Sequence, residues 1–436
     1  MRIPAFSLPP EALPGLALGL RRHGLSWLDA SGEGELGSRS HLLFGPGEVA
    51  VARAGDPDPL ALAILPPAGV GEPTALGAVL ALAFDAAWSS PPTFGLRQPP
   101  RHRRPADAVV AFRRAHAASL VYDHRRAEAR LGAENAEALA WAERAVDEAL
   151  RDGPPVRLAL GPVQAEDPAL HRARILAALE AIGRGDLYQV NLARPFTASF
   201  VGDPLALALA MRRTSPVPLG AYLEGPGELT LVARTMERFL LVEGDRVESR
   251  PIKGTVAEQA GAEGILLASE KERAEHAMIV DLVRNDLGRI AAPGTVRTPR
   301  LFAVEPYAHL RHLVSVVEAR LRPGTSLPAL LAATFPPASV SGAPKSAAIE
   351  HIEALEAAPR GFYTGALGGL GRDGVVGLAV AIRTVELEGR RAGTLRYFAG
   401  GGIVSASDPE AELAETELKA RAFLDAVRAL AAAPPF

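Results

Sequence analysis

Cysteine is absent from the 436 residues, and lysine nearly so: arginine fills all but four of the 47 basic positions. The first absence excludes disulfides, thiolate metal sites and a thiol nucleophile. A formal charge of −3 offers no basic field for nucleic acid or an anionic membrane surface. No apolar run reaches the roughly 18 residues that a membrane helix needs. The N-terminal stretch "MRIPAFSLPPEALPGLALGLRRHG" has proline in its apolar part and no cleavage pattern, so a cytoplasmic protein is expected.

What is present reads as a globular chain, 48% hydrophobic and 22% charged, long enough for about two or three domains. Three textures follow one another. Residues 1–125 are rich in Ala, Pro and Gly, with short strand-like runs and a Pro/Arg-rich loop, "RQPPRHRRPAD". Residues 126–182 look helical, through "AEARLGAENAEALAWAERAVDEAL" and "PALHRARILAALEAIGRG". From 183 to 430, strand candidates such as "DLYQVNLARPF", "AYLEG", "LTLVA", "RFLLVEG" and "VVGLAVAIRTVEL" alternate with helices. Strand runs joined by short turns predict antiparallel pairing and an α+β architecture.

The four lysines stand in "SRPIKGT", "SEKERAEHAMIVDLVRND", "SVSGAPKSAAIE" and "AETELKARAF". An amine can lose its proton and act as a nucleophile, which guanidinium cannot. In "SDPEAELAETELKARAFLDAVRAL", Asp408 suits a cap and Pro409 the first helical position, and Glu412, Glu415 and Lys419 share one face. "SEKERAEHAM" repeats the carboxylate pair with Glu272 and Glu275. Two such helices could hold a hard divalent ion such as Mg²⁺, although Glu272 also fits a capping box and Glu415–Lys419 a surface pair. His276 and His312 could be ligands, proton carriers or packing residues. The helix start at Lys345 could cradle an anion, and the glycines of "FAGGGIV" could floor a ligand site or form a bulge.

Taken together, these motifs resemble the chorismate-utilising enzymes. The resemblance is carried, in order over residues 183–420, by "GDLYQVNLARPF", "ERFL", "VESRPIKGT", "KERAEHAMIVDLVRNDLGRI", "HLVSVVEARL", "SVSGAPKSAAIEHIEALE", "RGFYTGALGGL", "AIRTVEL" and "AGGGIVSASDPEAELAETELKA". It implies a fold like that of anthranilate synthase component I, with large antiparallel sheets packed as a sandwich-like core and helices outside. It also implies a divergent N-terminal region (1–125) packing with the core, a helical connection (126–182) and a chorismate-binding domain (183–430). Glu272, Glu275, Glu412 and Glu415 match the Mg²⁺ ligands. Tyr363, Arg383, Lys419 and Gly400, Gly401 and Gly402 match positions that bind substrate carboxylates, and Ser339 and His312 positions near the reacting ring. The stretch "WLDASGEGELGSRS" matches a region where relatives form a tryptophan pocket.

Two positions separate the branches of the family. Isochorismate and salicylate synthases carry a water-activating lysine where this chain has Gln189, and an amide cannot serve as that base. Anthranilate synthases typically carry alanine where this chain has Lys253, and aminodeoxychorismate synthases carry lysine. The resemblance therefore implies that Lys253 attacks ring C2 as the C4 hydroxyl leaves and that ammonia then displaces it, with Glu237 as general acid/base. Desolvation or nearby cations are expected to favour the neutral Lys253 amine. With no cysteine for glutamine hydrolysis, ammonia is expected from a separate glutaminase subunit. An anthranilate synthase with an atypical lysine and a non-catalytic homologue are the alternatives, together with a pyridoxal-phosphate lysine. The chain departs from the family pattern at Thr235 and Met236, at Ser215 and Leu219, and in "VAEQA" after "PIKGT".

Overall fold

The computed structural model describes residues 5–31, 36–88, 104–257, 259, 261–307 and 310–432. Alternation of side chains along its strands dictates the layering. Ala221 and Leu223, then Leu231 and Ala233, point into one core, shared with Leu80, Leu82, Leu367 and Leu378 of a second sheet. Tyr222 and Val232 point the opposite way and pack with Val385, Leu387 and Leu395 against helices Ala12–Leu20, Ala136–Arg151, Pro204–Thr214 and Pro409–Ala432. Burying each such side chain contributes about 1.5–3 kcal/mol, which holds the layers together. Among the described residues one sheet has 14 strands and the other 10, and every strand pairing is antiparallel. This is the α+β sandwich expected from the sequence.

The N-terminal part is woven into both sheets. Leu25–Asp29 pairs with Leu219–Glu224 in the larger sheet, and Leu76–Leu82 pairs with Ala366–Gly371 in the smaller. The Pro/Arg-rich loop lies largely outside the described residues, as do Met1–Pro4. Within 126–182, the run "EARLGA" is a strand, Glu128–Ala133, where helical spacing had been expected. Ala129, Leu131 and Ala133 alternate into the core while Glu128 and Arg130 face outward, a period of two that the neighbouring alanines obscure. The helix starts only at Ala136, where Asn135 Oδ1 accepts from Ala138 N at 2.9 Å.

Two crossings between the sheets place the site. The chain leaves the larger sheet after Leu229–Thr235 and enters the smaller at Arg238–Glu243, so Met236 and Glu237 form the crossing. "VVGLAVAIRTVEL" is likewise two strands: Val376–Val380 in the smaller sheet and Thr384–Glu388 in the larger. Between them Arg383 adopts φ 51°, a left-handed conformation uncommon for a bulky residue. The crossings are tied together: Val380 N donates to Glu237 O at 3.0 Å, and Arg234 N to Arg383 O at 3.1 Å.

Candidate active site

Gly400, Gly401 and Gly402 form a floor because the strand that carries them is unbroken. Ala392–Val404 pairs with Gln189–Gly202 through thirteen consecutive residues, with Gly400, Gly401 and Gly402 opposite Ala193, Leu192 and Asn191. The ladder has no bulge here, which removes that reading of the glycine run. Over the floor the polar groups converge. A Cβ added to Gly402 would lie 2.7 Å from Lys253 Nζ, 2.8 Å from Gln189 Nε2 and 3.0 Å from Asn191 Oδ1. One added to Gly401 would lie 2.9 Å from Glu412 Oε2 and 3.4 Å from Glu415 Oε1. Gln189 is fully buried, and neither end of its amide has a hydrogen-bond partner among the described residues. Such a group needs a ligand or water to offset its desolvation.

Lys253 comes from the smaller sheet, on strand Ile252–Ala257, whose register with Leu310–Arg320 shifts between Lys253 and Thr255. Gly254 takes up that irregularity at φ 78°. The amine lies 3.1 Å from Glu275 Oε2, so of the two causes expected from the sequence, desolvation or nearby cations, a close cation is not its nearest charged partner. Glu237 is buried at the sheet crossing. Burial pushes its carboxyl up to about 7, against the opposing effects of the Ser339 hydroxyl, the Ile252 N–H and the Lys253 and Lys419 charges. His312 is also buried and pushed down to about 4, first by desolvation and then by Arg383, so it is neutral at pH 7. Lys419 Nζ donates to Gly400 O at 2.8 Å and contacts Glu415 Oε1 at 2.5 Å. These mutual influences put Lys253, Glu237, His312, Arg383, Lys419 and Ser339 around one space.

The acidic helices approach the same space. Ser269 caps helix Glu270–Gly288 by accepting from Glu272 N at 3.3 Å, while the Glu272 carboxylate faces Gly254. Asp408 Oδ1 caps helix Pro409–Ala432 through the N–H groups of Glu410 and Ala411 at 3.1 and 2.9 Å. Burial and then the Glu275 charge push Glu272 up; burial also pushes Glu412 up, with Glu415 adding to it and Ser407 opposing. Burial alone would raise Glu415, but Lys419 outweighs it and holds the group below the usual range. Glu412 Oε1 accepts from Ser407 Oγ at 2.7 Å, and its buried Oε2 has no hydrogen-bond partner among the described residues. Among the described residues no three acidic or histidine side chains converge into a ready-made coordination shell. A hard ion that keeps several waters needs only one or two carboxylates plus substrate oxygens, and the bare Glu412 oxygen above Gly401 fits that role.

Tyr363 is buried, stacked on Phe398 at 5.4 Å between ring centroids, and its hydroxyl is raised by desolvation. The remaining lysines lie elsewhere. Lys271 is an exposed neighbour of Glu275 at 4.0 Å. Lys345 is no anion cradle: buried, it donates to Asp286 Oδ2, Thr334 O and Pro336 O at 2.5, 2.9 and 2.9 Å. His276 is buried too, with Nε2 2.7 Å from Ser315 Oγ. Asn191 and Ser407 adjoin the site and were not anticipated. Asn191 could have been found, since it lies two residues from Gln189 on the same strand face. A separate cavity of about 290 Å³ lies between the sheets, lined by Asp29, Arg39, His41, Leu219 and Gly220 among others and by none of the residues above. It adjoins the "WLDASGEGELGSRS" stretch, of which residues 32–35 lie outside the described set.

Comparison with known proteins bears on this geometry. The family model described as chorismate binding enzyme matches residues 58–425. Anthranilate synthase component 1 of Streptomyces coelicolor is 42% identical over 266 residues, covering 60% of this chain and 52% of the relative. Aminodeoxychorismate synthase of Streptomyces griseus is 40% identical over 345 residues, covering 74% of this chain and 47% of the relative. The chain spans about half the length of these curated relatives. The crystal structure of anthranilate synthase component I from Streptococcus pneumoniae superposes with a TM-score of 0.75 at 29% identity, covering 90% of this chain and 93% of that one.

Proposed function

The chain belongs to the chorismate binding enzymes, and on that premise we propose that it makes 4-amino-4-deoxychorismate from chorismate and ammonia. The observation that carries the reading is the convergence of the Lys253 amine and the Gln189 amide over Gly402, next to a carboxyl poised near neutrality at Glu237. A glutamine at 189 supplies no base for water attack, whereas a lysine at 253 supplies a nucleophile. Lys253 Nζ would bond to ring C2 while both ring double bonds shift by one position and the C4 hydroxyl departs as water, taking a proton from Glu237. Ammonia would then bond to C4, both double bonds would shift back, the C2–N bond would break to free the Lys253 amine, and Glu237 would recover a proton from the new C4 ammonium. A carboxyl near 7 can both donate and accept at neutral pH.

The Lys419 and Arg383 cations suit substrate carboxylates, and the glycine floor lets the ring approach the backbone. Glu272, Glu275, Glu412 and Glu415 would hold a Mg²⁺ ion, which when bound neutralises carboxylate charge on the substrate. A chain without cysteine needs ammonia from elsewhere, so a glutaminase partner belongs to the proposal. The second reading, an anthranilate synthase, is favoured by relatives of that name at 42% identity.

One assay separates the readings: purified protein with chorismate, Mg²⁺ and ammonium, the product identified by mass and fluorescence. Aminodeoxychorismate is expected; anthranilate would establish the second reading, and unchanged chorismate would remove both. Lys253→Ala should lower the rate at least about 100-fold and abolish a protein adduct weighing chorismate minus water. Full activity in that variant would overturn the covalent route.

A further inference from the structure

Arg360 hydrogen-bonds none of the side chains assigned to the reaction, yet its guanidinium grips the segments that carry three of them. It is 2% exposed and forms a buried pair with Glu356, Nε to Oε2 at 2.9 Å and Nη2 to Oε1 at 2.6 Å. Nη2 also donates to Asn191 O at 2.8 Å, and Nη1 donates to Val340 O and Thr364 Oγ1, both at 3.1 Å. All five N–H donors of the fork are therefore used. Glu356 Oε1 accepts in turn from Ala193 N at 2.9 Å.

Each partner is one step from the site. Asn191 is two residues from Gln189, faces Gly402 in the ladder, and donates from Nδ2 to Ser339 O at 2.9 Å. Val340 follows Ser339, whose hydroxyl hydrogen-bonds Glu237. Thr364 follows Tyr363 and holds φ 60°, a strained conformation for a β-branched residue. That strain is secured by Arg360, by Thr364 Oγ1 donating to Tyr363 O at 2.6 Å, and by Thr364 N donating to Ala381 O at 2.9 Å. The guanidinium also lies 5.7 Å from the Tyr363 ring centroid and 4.8 Å from that of Phe84. A buried ion pair of this kind is weak evidence for stability, because desolvation offsets its Coulombic gain. Its five directed contacts define a geometry.

We propose that Arg360, clamped by Glu356, is a positioning residue that fixes the spacing between the Gln189 strand, the Ser339 loop and the Tyr363 ring. The inference rests on chorismate as substrate and is indifferent to which amine is formed. Its test compares wild type and Arg360→Lys by calorimetric titration of chorismate with Mg²⁺, steady-state kinetics across pH, and thermal unfolding. Lysine keeps the charge but offers one nitrogen in place of the planar fork. Expected is a folded variant whose Kd and KM for chorismate rise about tenfold or more, since displacements of an ångström at a site cost factors of that order or larger.

The pH limb belonging to Glu237, which Lys253, Lys419 and the Ser339 hydroxyl face, should move to higher pH as the hydroxyl loosens. A loss of folded protein alone would scale the rate and move neither KM nor the limb. Glu356→Gln combined with Arg360→Lys should cost no more than the worse single change, as expected of one unit. If Arg360→Lys does not fold, Thr364→Gly, which tolerates the left-handed backbone and removes one contact, should still raise Kd severalfold; an unchanged Kd there overturns the proposal. A folded Arg360→Lys with wild-type Kd, KM and pH limb overturns it as well. Wild-type protein that binds no chorismate overturns the substrate reading and the inference together, so the two failures are told apart.

Discussion

Glu237→Gln should make the protein more stable as it makes it inactive, and by an amount that depends on pH. In the folded chain, burial raises this carboxyl from 4.5 to about 7. At about 1.36 kcal/mol per pK unit, the folded state carries roughly 3 kcal/mol of unfavourable free energy once the group is ionised. The sign follows from proton counts. Between the unfolded pKa near 4.5 and the folded value near 7, the native state binds more protons than the unfolded state, so stability falls as pH rises through that window. Glutamine removes the penalty and keeps the volume. Urea unfolding of both proteins should thus give nearly equal free energies at pH 4.5 and a variant more stable by roughly 3 kcal/mol at pH 8. The same variant should lose about 10²–10⁴ in kcat, the usual contribution of general acid–base catalysis. Parallel stability curves from pH 4.5 to 8 would show that Glu237 does not titrate near neutrality, and the acid/base role would lose its footing.

The metal-holding role predicts that Glu412→Gln raises the half-saturating Mg²⁺ concentration by roughly tenfold or more, read from activity and from Mg²⁺-dependent thermal stabilisation. An unchanged Mg²⁺ dependence would take Glu412 out of the ligand set. The glycine floor makes a paired prediction. In Gly402→Ala the new methyl meets the far ends of Lys253, Gln189 and Asn191, which can swing aside, so the protein should fold and its chorismate Kd rise about tenfold or more. In Gly400→Ala the methyl would lie 2.3 Å from Leu192 O, a backbone atom, and unfolding free energy should fall by about 1–3 kcal/mol. Equal stabilities of the two variants in urea would contradict this division.

Motifs made the acidic helices, the glycine strand and the lysine strand legible before any coordinates, because each is a local pattern. Asp408 and Pro409 start a helix wherever they stand ahead of such a sequence, and the Glu412–Glu415–Lys419 face follows from its period. Long-range facts were not legible. "VVGLAVAIRTVEL" reads as one apolar run, yet it changes sheets at a left-handed Arg383 that no local preference announces. Lys345 sits at a helix start with small polar neighbours, which locally suits an anion; Asp286, fifty-nine residues earlier in the chain, claims it instead. The function of Arg360 was hidden for the same reason, since its partners at 191, 340, 356 and 364 belong to different elements.

The distribution of cations follows the difference between fixed and releasable charge. While Lys345 fixes Asp286, arginine fixes several buried carboxylates in this chain, as Arg360 does both oxygens of Glu356 and as Arg234 and Arg212 do Asp29. Such forks occupy the lone pairs that another ligand would need. Around the acidic helices the chain uses lysine. Lys253 meets Glu275 Oε2 at 3.1 Å while Lys271 stands 4.0 Å from its Oε1, and Lys419 meets Glu415 Oε1, each a single point contact in place of a fork. An ammonium is a compact, rotatable charge that offsets a carboxylate without occupying both of its oxygens. Arginine at 253 or 419 would grip the carboxylate it touched with a fork, and at 253 it could not release its proton to become a nucleophile. Two of the four lysines, Lys253 and Lys419, thus stand against carboxylates of the acidic helices, where a compact charge can shift and a guanidinium fork would not.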